Sequence, residues 1–339
     1  MAFSCTKQMK FPFREGTGKT QMLQENMIIK DALTITKDKL EILSTNAPLS
    51  LTNCKVISNA CNRLRKLSVI GSSIPANGLA ALMMNGICRG KYLRSLNITI
   101  DDEEQLQTIT KNMLCLHHFY CIIDVPDVHD IGCIGQLKNL KSLFLSNYRQ
   151  DVLDSGLVLV FIGCKELTSL IINGEVSDKS FELLSDFVVK LKRIELNNGN
   201  GALLGDRTMY AFQKLDYLNS LSIYSCDCSD ASLIAFLERS KRLTFLRIRR
   251  STTLTKAVLP ACIAHAEKVK KKSMVQIFMP SRLKRFWPQY EEFSVPPNLV
   301  MKFESWAGIN DSQNMIFSTN CEIWIDYTAL AVTTALGAV

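Results

Sequence analysis

Histidine and tryptophan are scarce, four and three residues in a chain of 339. Catalysis by a Ser-His-Asp or Cys-His pair therefore has few candidates, and no pair of carboxylates stands in a setting that suggests acid–base work. No apolar run reaches the roughly 18–20 residues of a membrane-spanning helix. The nearest, Tyr327–Val339, has thirteen residues. The opening "MAFSCTKQMKFPFREG" lacks the long apolar core of a secretory signal. The twelve cysteines accordingly read as reduced thiols of an intracellular chain, cytoplasmic or nuclear, rather than as a disulfide frame. An apolar content of 47% with 21% charged residues excludes a wholly disordered chain. The net charge is +8, but thirteen Lys or Arg face one acid, Glu267, between Lys241 and Arg285, so that stretch alone carries +12. A basic last third points to an acidic partner without saying of which kind.

What is present is a repeat. Leu-x-x-Leu-x-Leu, with apolar substitutes, starts at Leu64, Leu93, Leu140, Leu167, Leu191, Leu218 and Leu243. Weaker copies start at Leu40 and Leu116, with a last one set at Lys272, and successive starts lie 23 to 29 residues apart. The final two apolar positions, such as Leu170 and Ile172, share one face of a short strand. About 25 residues suit a strand, a turn and a returning helix. The returns carry helical spacing: Leu157, Val160, Phe161; then Phe181, Leu184, Val188; then Leu233, Phe236, Leu237. Each of these sets begins ten residues before the next strand leucine. Asp154, Asp178 and Asp230 stand three residues ahead of them, and Asp206 stands likewise before Met209. Acids there are expected at helix N-termini, where free N–H groups and the helix dipole favour negative charge.

The unit "VLDSGLVLVFIGCKELTSLII" resembles the cysteine-containing leucine-rich repeat of F-box/leucine-rich-repeat proteins. An Asp and a Gly-Leu open its helix, Gly163-Cys164 closes it, and the strand leucines follow. Cys61 and Cys164 both stand three residues before a strand leucine, and Cys226 stands eight after Leu218. The resemblance covers residues 40–278. It implies an α/β leucine-rich-repeat solenoid, a curved stack of about nine to ten short parallel strands with helices on the convex side. Residues 1–39 would be an N-terminal lead or cap and residues 279–339 a C-terminal cap or tail. The resemblance further implies the substrate-recognition part of a ubiquitin-ligase receptor, working with a Skp-type adaptor and a cullin in ubiquitin-dependent degradation. Residues 1–39 hold no tryptophan and no Leu-Pro pair, so no F-box is recognisable there.

Local motifs carry little chemistry. "GTGKT" at Gly16–Thr20 has Phe13 where a phosphate loop needs glycine, and is read as part of the lead. Cys226 and Cys228 have no further Cys or His beside them, unlike a zinc site, and are read as core and turn residues. His117 and His118 point to opposite faces of one strand and cannot converge on a metal. "KVKKK" (Lys268–Lys272) and "RLKR" (Arg282–Arg285) fit either a nuclear address or anion patch, or a solvated helix end with a basic loop. "CEIWIDYTALAVTTALGAV" is expected to cap the solenoid rather than to attach it to a membrane. No enzyme activity, metal or cofactor is expected.

Function is instead expected on the inner wall, from the residues that alternate with the buried strand leucines. Tyr120 and Phe144 lie side by side in adjacent strands as an apolar anchor. Tyr224, Phe245, Arg247 and Arg249 gather near the C-terminal end, in the combination that protein interfaces favour. Arg247 and Arg249 are expected to face solvent, so that reversing their charge would cost little stability. The leading reading is a scaffold that binds acidic or phosphorylated protein targets on its concave face. Two alternatives are a stand-alone inhibitor or assembly scaffold of the ribonuclease-inhibitor type, and nucleic-acid binding through residues 241–285.

Overall fold

The structure, a computed structural model, describes residues 8–11, 39–46, 48–84, 92–123, 130–147, 150–198, 204–269, 273–291 and 295–304. Strand positions in the leucine pattern become the rungs of one twelve-stranded sheet whose spatial order is the chain order. The rungs are β1 Gln8–Phe11, β2 Ile42–Thr45, β3 Lys66–Ser73, β4 Ser95–Ile100, β5 His118–Ile123 and β6 Ser142–Asn147. They continue as β7 Ser169–Asn173, β8 Arg193–Asn197, β9 Ser220–Ser225, β10 Phe245–Arg250, β11 Val275–Pro280 and β12 Leu299–Glu304. Every neighbouring pair is parallel. The sheet thus extends past 40–278 at both ends, through β1 and β12.

Register follows the leucines. Leu43, Leu67, Leu96, Phe119, Leu143, Leu170, Ile194, Leu221, Leu246 and Ile277 form one continuous row across the sheet, and all are buried. A backbone device repeats with it. The amides of Thr168 and Ser169 both donate to the carbonyl of Lys141, those of Lys192 and Arg193 to Thr168, and those of Asn219 and Ser220 to Lys192. From β2 to β9 the position just before the strand thereby hands the register to the next repeat. The copy set at Lys272 lies two residues early, because Leu246 pairs with Ile277. A slip of two keeps side chains on the same face. The position of the leading leucine is taken by exposed Met274, so the motif had lost its first mark.

The returns are α1 Leu51–Ala60, α2 Ala76–Met84, α3 Glu103–Asn112, α4 Gln150–Gly163, α5 Lys179–Glu182, α6 Leu184–Phe187, α7 Asp206–Phe212, α8 Asp230–Arg239 and α9 Val258–Lys268. Between β5 and β6 the return is a 3-10 turn, Gly132–Gln136. The helix expected from Phe181 to Val188 is split at Leu183 into two single turns, yet Phe181, Leu184 and Val188 are all fully buried. The periodicity located the buried face correctly without requiring a continuous helix. Gly163-Cys164 has a packing reason. A Cβ on Gly163 would lie 1.9 Å from the Gly135 carbonyl oxygen, so α4 meets the 3-10 turn backbone to backbone. The Cys164 thiol then donates to the Ile134 carbonyl oxygen at 3.4 Å. Burial pushes that thiol's pKa up to about 12, which keeps it neutral and unreactive.

Three of the aspartates stand at helix N-termini as expected: Asp178 just before α5, Asp206 and Asp230 as the first residues of α7 and α8. Asp154 lies within α4 instead, and Asp178 makes no capping bond to its own helix. All four side chains accept from the next repeat. Asp154 takes the Ser177 amide at 2.9 Å and the Ser180 hydroxyl. Asp178 takes the Gly205 amide at 2.9 Å and the Thr208 hydroxyl at 2.5 Å. Asp206 takes the Ser229 amide at 2.6 Å and the Ser232 hydroxyl at 2.7 Å. Asp230 takes the Thr255 amide at 2.7 Å and the Thr255 hydroxyl. The acids therefore tie consecutive repeats together along one edge, each serving the beginning of the following return. Desolvation works against the charged form of Asp206, but its bonds from Ser229 and Ser232 outweigh it and lower the pKa.

Candidate functional site on the inner wall

The residues between the buried positions form a second continuous row: Ser68, Asn97, Tyr120, Phe144, Ile171, Glu195, Ser222, Arg247, Phe278 and Lys302. The wall changes character along this row, from small and polar through aromatic to charged.

Tyr120 and Phe144 are neighbours as the spacing implied, with stacked rings 6.0 Å apart. They are not an exposed anchor. Only 6% and 5% of their surfaces remain accessible. Phe144 is flanked in its row by Tyr120 and Ile171, and on its own strand by buried Ser142 and Ser146. On a closely spaced sheet, apolar neighbours of this kind cover one another. The pair belongs to the packed part of the wall.

The C-terminal group is arranged differently. The Arg247 guanidinium lies 4.5 Å from the centroid of the Phe278 ring and 5.3 Å from that of Phe245. Phe245 and Phe278 are 5.4 Å apart. Arg249 lies over Tyr224 at 5.8 Å, and the Lys302 amine over Phe278 at 5.5 Å. Both guanidinia reach across β11 to a single carboxylate. Arg247 Nη2 is 3.3 Å from Glu304 Oε1, and Arg249 Nε donates to Glu304 Oε2 at 3.1 Å. Pro280, with no long side chain, lies beside Glu304 in the register and leaves the path open. The side chains of Arg247, Arg249 and Glu304 keep 19%, 25% and 25% of their surfaces accessible. The expectation of freely solvated arginines is therefore corrected: they are part-buried, stacked on rings and paired. Burial is the largest influence on Arg247 and lowers its pKa, Arg249 acts the same way, and Glu304 and Glu195 oppose them.

Phe278, Lys302 and Glu304 were missed in the sequence. Glu304 is 55 residues from Arg249, and β12 has no full leucine motif. Its signal was the alternation Leu299, Met301, Phe303, whose side chains pack against the core.

The remaining candidates resolve as follows. Cys226 and Cys228 are both fully buried. A hydrogen bond with Cys228, together with burial, raises the Cys226 pKa. Among the described residues no three His, Cys, Asp or Glu side chains converge as metal ligands would. His118 is half-buried on the wall, and desolvation, then His117, Lys141 and Lys66, lower its pKa. His117 Nδ1 lies 2.9 Å from the Cys115 carbonyl oxygen. The basic stretch is not one surface. Arg247 and Arg249 face the wall, Lys241 and Arg242 precede β10, Lys268 ends α9, and Arg282, Lys284 and Arg285 lie on the 3-10 turn Ser281–Phe286 after β11. No described helix is long and apolar enough to cross a membrane. Gly16–Thr20, Lys270–Lys272 and Cys321–Val339 fall outside the described residues.

No protein-family model and no curated protein matches the sequence. Among solved structures, a chain of the yeast Rad7–Elc1 complex is similar with a TM-score of 0.52 at 16% identity, over 78% of this chain and 71% of that chain. An internalin of Listeria monocytogenes gives 0.48 at 17% identity over 79% and 68%. A chain of the mouse RP105/MD-1 complex gives 0.49 at 16% over 80% and 44%. At such identity the yeast likeness is one of fold. With its parallel rungs stacked in chain order over a shared leucine spine, the chain is an α/β leucine-rich-repeat solenoid.

Proposed function

We propose that this solenoid is a recognition scaffold that holds a protein partner against its concave wall, anchored at β9 to β12. The observation that carries this reading is the group Tyr224, Phe245, Arg247 and Arg249. It is the part of the wall where aromatic and guanidinium groups remain part-exposed and already ordered by mutual stacking. Such groups offer large contact area at small entropic cost when a partner docks.

The finer reading is the substrate-recognition part of a ubiquitin-ligase receptor. Its target would carry acidic or phosphorylated segments, with a Skp-type adaptor and a cullin as further partners in the cytoplasm or nucleus. The cysteine-containing repeat pattern supports it. Affinity purification with the natural chain and with Tyr224→Ala/Phe245→Ala tests both levels. The expected result is a protein partner lost with the double variant while the circular dichroism spectrum is unchanged. Adaptor and cullin in the same fraction would support the ligase. A one-to-one complex without turnover of the target would favour an inhibitor. Retention on RNA that falls steeply with salt would favour nucleic acid. A partner that binds the double variant equally well contradicts the wall reading.

A further inference from the structure

Two guanidinia share one carboxylate at the C-terminal end of the wall, and a third cation, Lys302, stands in the same row as Arg247. The other acid on this stretch, Glu195, is engaged by Arg193 at 2.8 Å. Positive charge is therefore in excess. Arg247 is also incompletely satisfied, since its Nε is buried with no hydrogen-bond acceptor among the described residues. A guanidinium has five N–H donors and binds a carboxylate best through two parallel bonds. Glu304 does not provide that fork. It makes one contact to each arginine, at 3.3 and 3.1 Å, longer than the roughly 2.7–2.9 Å of a strong charge-assisted bond. It also reaches them from two strands away, from β12. The arginines, by contrast, are fixed by the rings of Tyr224, Phe245 and Phe278 beneath them.

We propose that Arg247 and Arg249 form a binding site for a carboxylate side chain from an acidic segment of the protein partner, and that Glu304 occupies this site in competition with it. The inference rests on the concave-wall reading and deepens it. The incoming Asp or Glu displaces Glu304, pairs with the part-exposed Arg247 and Arg249 guanidinia, and leaves Glu304 to turn toward Lys302 or solvent. A carboxylate rather than a phosphate is favoured because the resident group is itself a carboxylate spanning both arginines.

Binding of an oligoglutamate peptide, with oligoglutamine as the uncharged control, tests the exchange. Glu304→Gln removes the competitor and is expected to tighten oligoglutamate binding about tenfold, as when nine-tenths of the sites were blocked. Glu195→Gln removes the same charge from the same wall without vacating the site. Equal tightening by both variants would reduce the effect to general electrostatics and overturn the proposal. Arg247→Gln/Arg249→Gln is expected to weaken binding at least about tenfold, with folding checked by circular dichroism. A phosphoserine peptide that binds more tightly than oligoglutamate would overturn the assignment to a carboxylate. Unchanged affinity in Glu304→Gln would overturn the exchange while leaving the wall reading to its own test, partner loss in Tyr224→Ala/Phe245→Ala.

Discussion

The middle and the end of the inner wall treat the same kind of residue in opposite ways. On one row, Phe144 is sealed by Tyr120, Ile171 and two small serines, whereas Phe278 is covered by Arg247 and Lys302. Both rings are shielded from water. In the first case the cover is apolar and part of the packed wall. In the second it is two long cations, Lys302 exposed to solvent and Arg247 paired with Glu304. An aromatic residue on a concave sheet thus contributes to stability or to recognition according to what its neighbours in the row can do.

The contrast should break first in stability. Phe144→Ala is expected to cost about 3–5 kcal/mol in denaturant unfolding, and Leu170→Ala on the neighbouring rung about 2–5 kcal/mol. Phe245→Ala at the part-exposed end should cost clearly less than Phe144→Ala. Equal costs would erase the distinction between the two regions. Next comes Arg247→Glu/Arg249→Glu, which sets two new acids against Glu304 in a part-buried place. A loss of about 1–3 kcal/mol is expected, with partial recovery on adding Glu304→Lys. No loss would return the arginines to the solvated state that the strand alternation alone suggested.

That last point marks what the sequence could and could not convey. Strand register was legible because Leu143, Leu170, Ile194 and Leu221 recur with one spacing rule and meet in one row. The inward column, including Tyr120, Phe144, Arg247 and Arg249, followed from alternation. Exposure did not follow, since it depends on neighbours a whole repeat away. Phe144 is closed by residues 24 and 27 positions distant in sequence, Tyr120 and Ile171. The Glu304 contact was hidden because β12 lacks the leading leucine that flagged β2 to β10. Asp154, Asp178 and Asp230 were legible as helix-related acids. Their partners were not, because an N–H one repeat later offers the same chemistry as one in the local turn.

The edge opposite in character to the wall gives a smaller test. Asp178→Ala removes acceptors from the Gly205 amide and the Thr208 hydroxyl and is expected to cost about 1 kcal/mol, as for a lost helix cap. Hydrogen exchange should rise mainly at the start of α7. A change confined to α5 would show that Asp178 serves its own helix after all.

The smallest expected effect is the pH response of the middle of the wall. The folded pKa of His118 lies below its ordinary 6.5, so between the two values the unfolded chain binds the proton more readily. Stability should therefore rise with pH across that window and level off above about 6.5. Thermal unfolding of His118→Asn should show a flatter profile there; an identical profile would mean that His118 titrates alike in both states.

The most direct measurement places a photo-crosslinking residue at Ser222, next to Arg247 in the row, and another at exposed Leu159 on helix α4. If the concave end of the solenoid holds the partner, Ser222 will crosslink to it and Leu159 will not. Crosslinks from Leu159 alone would put recognition on the helical face and contradict the account.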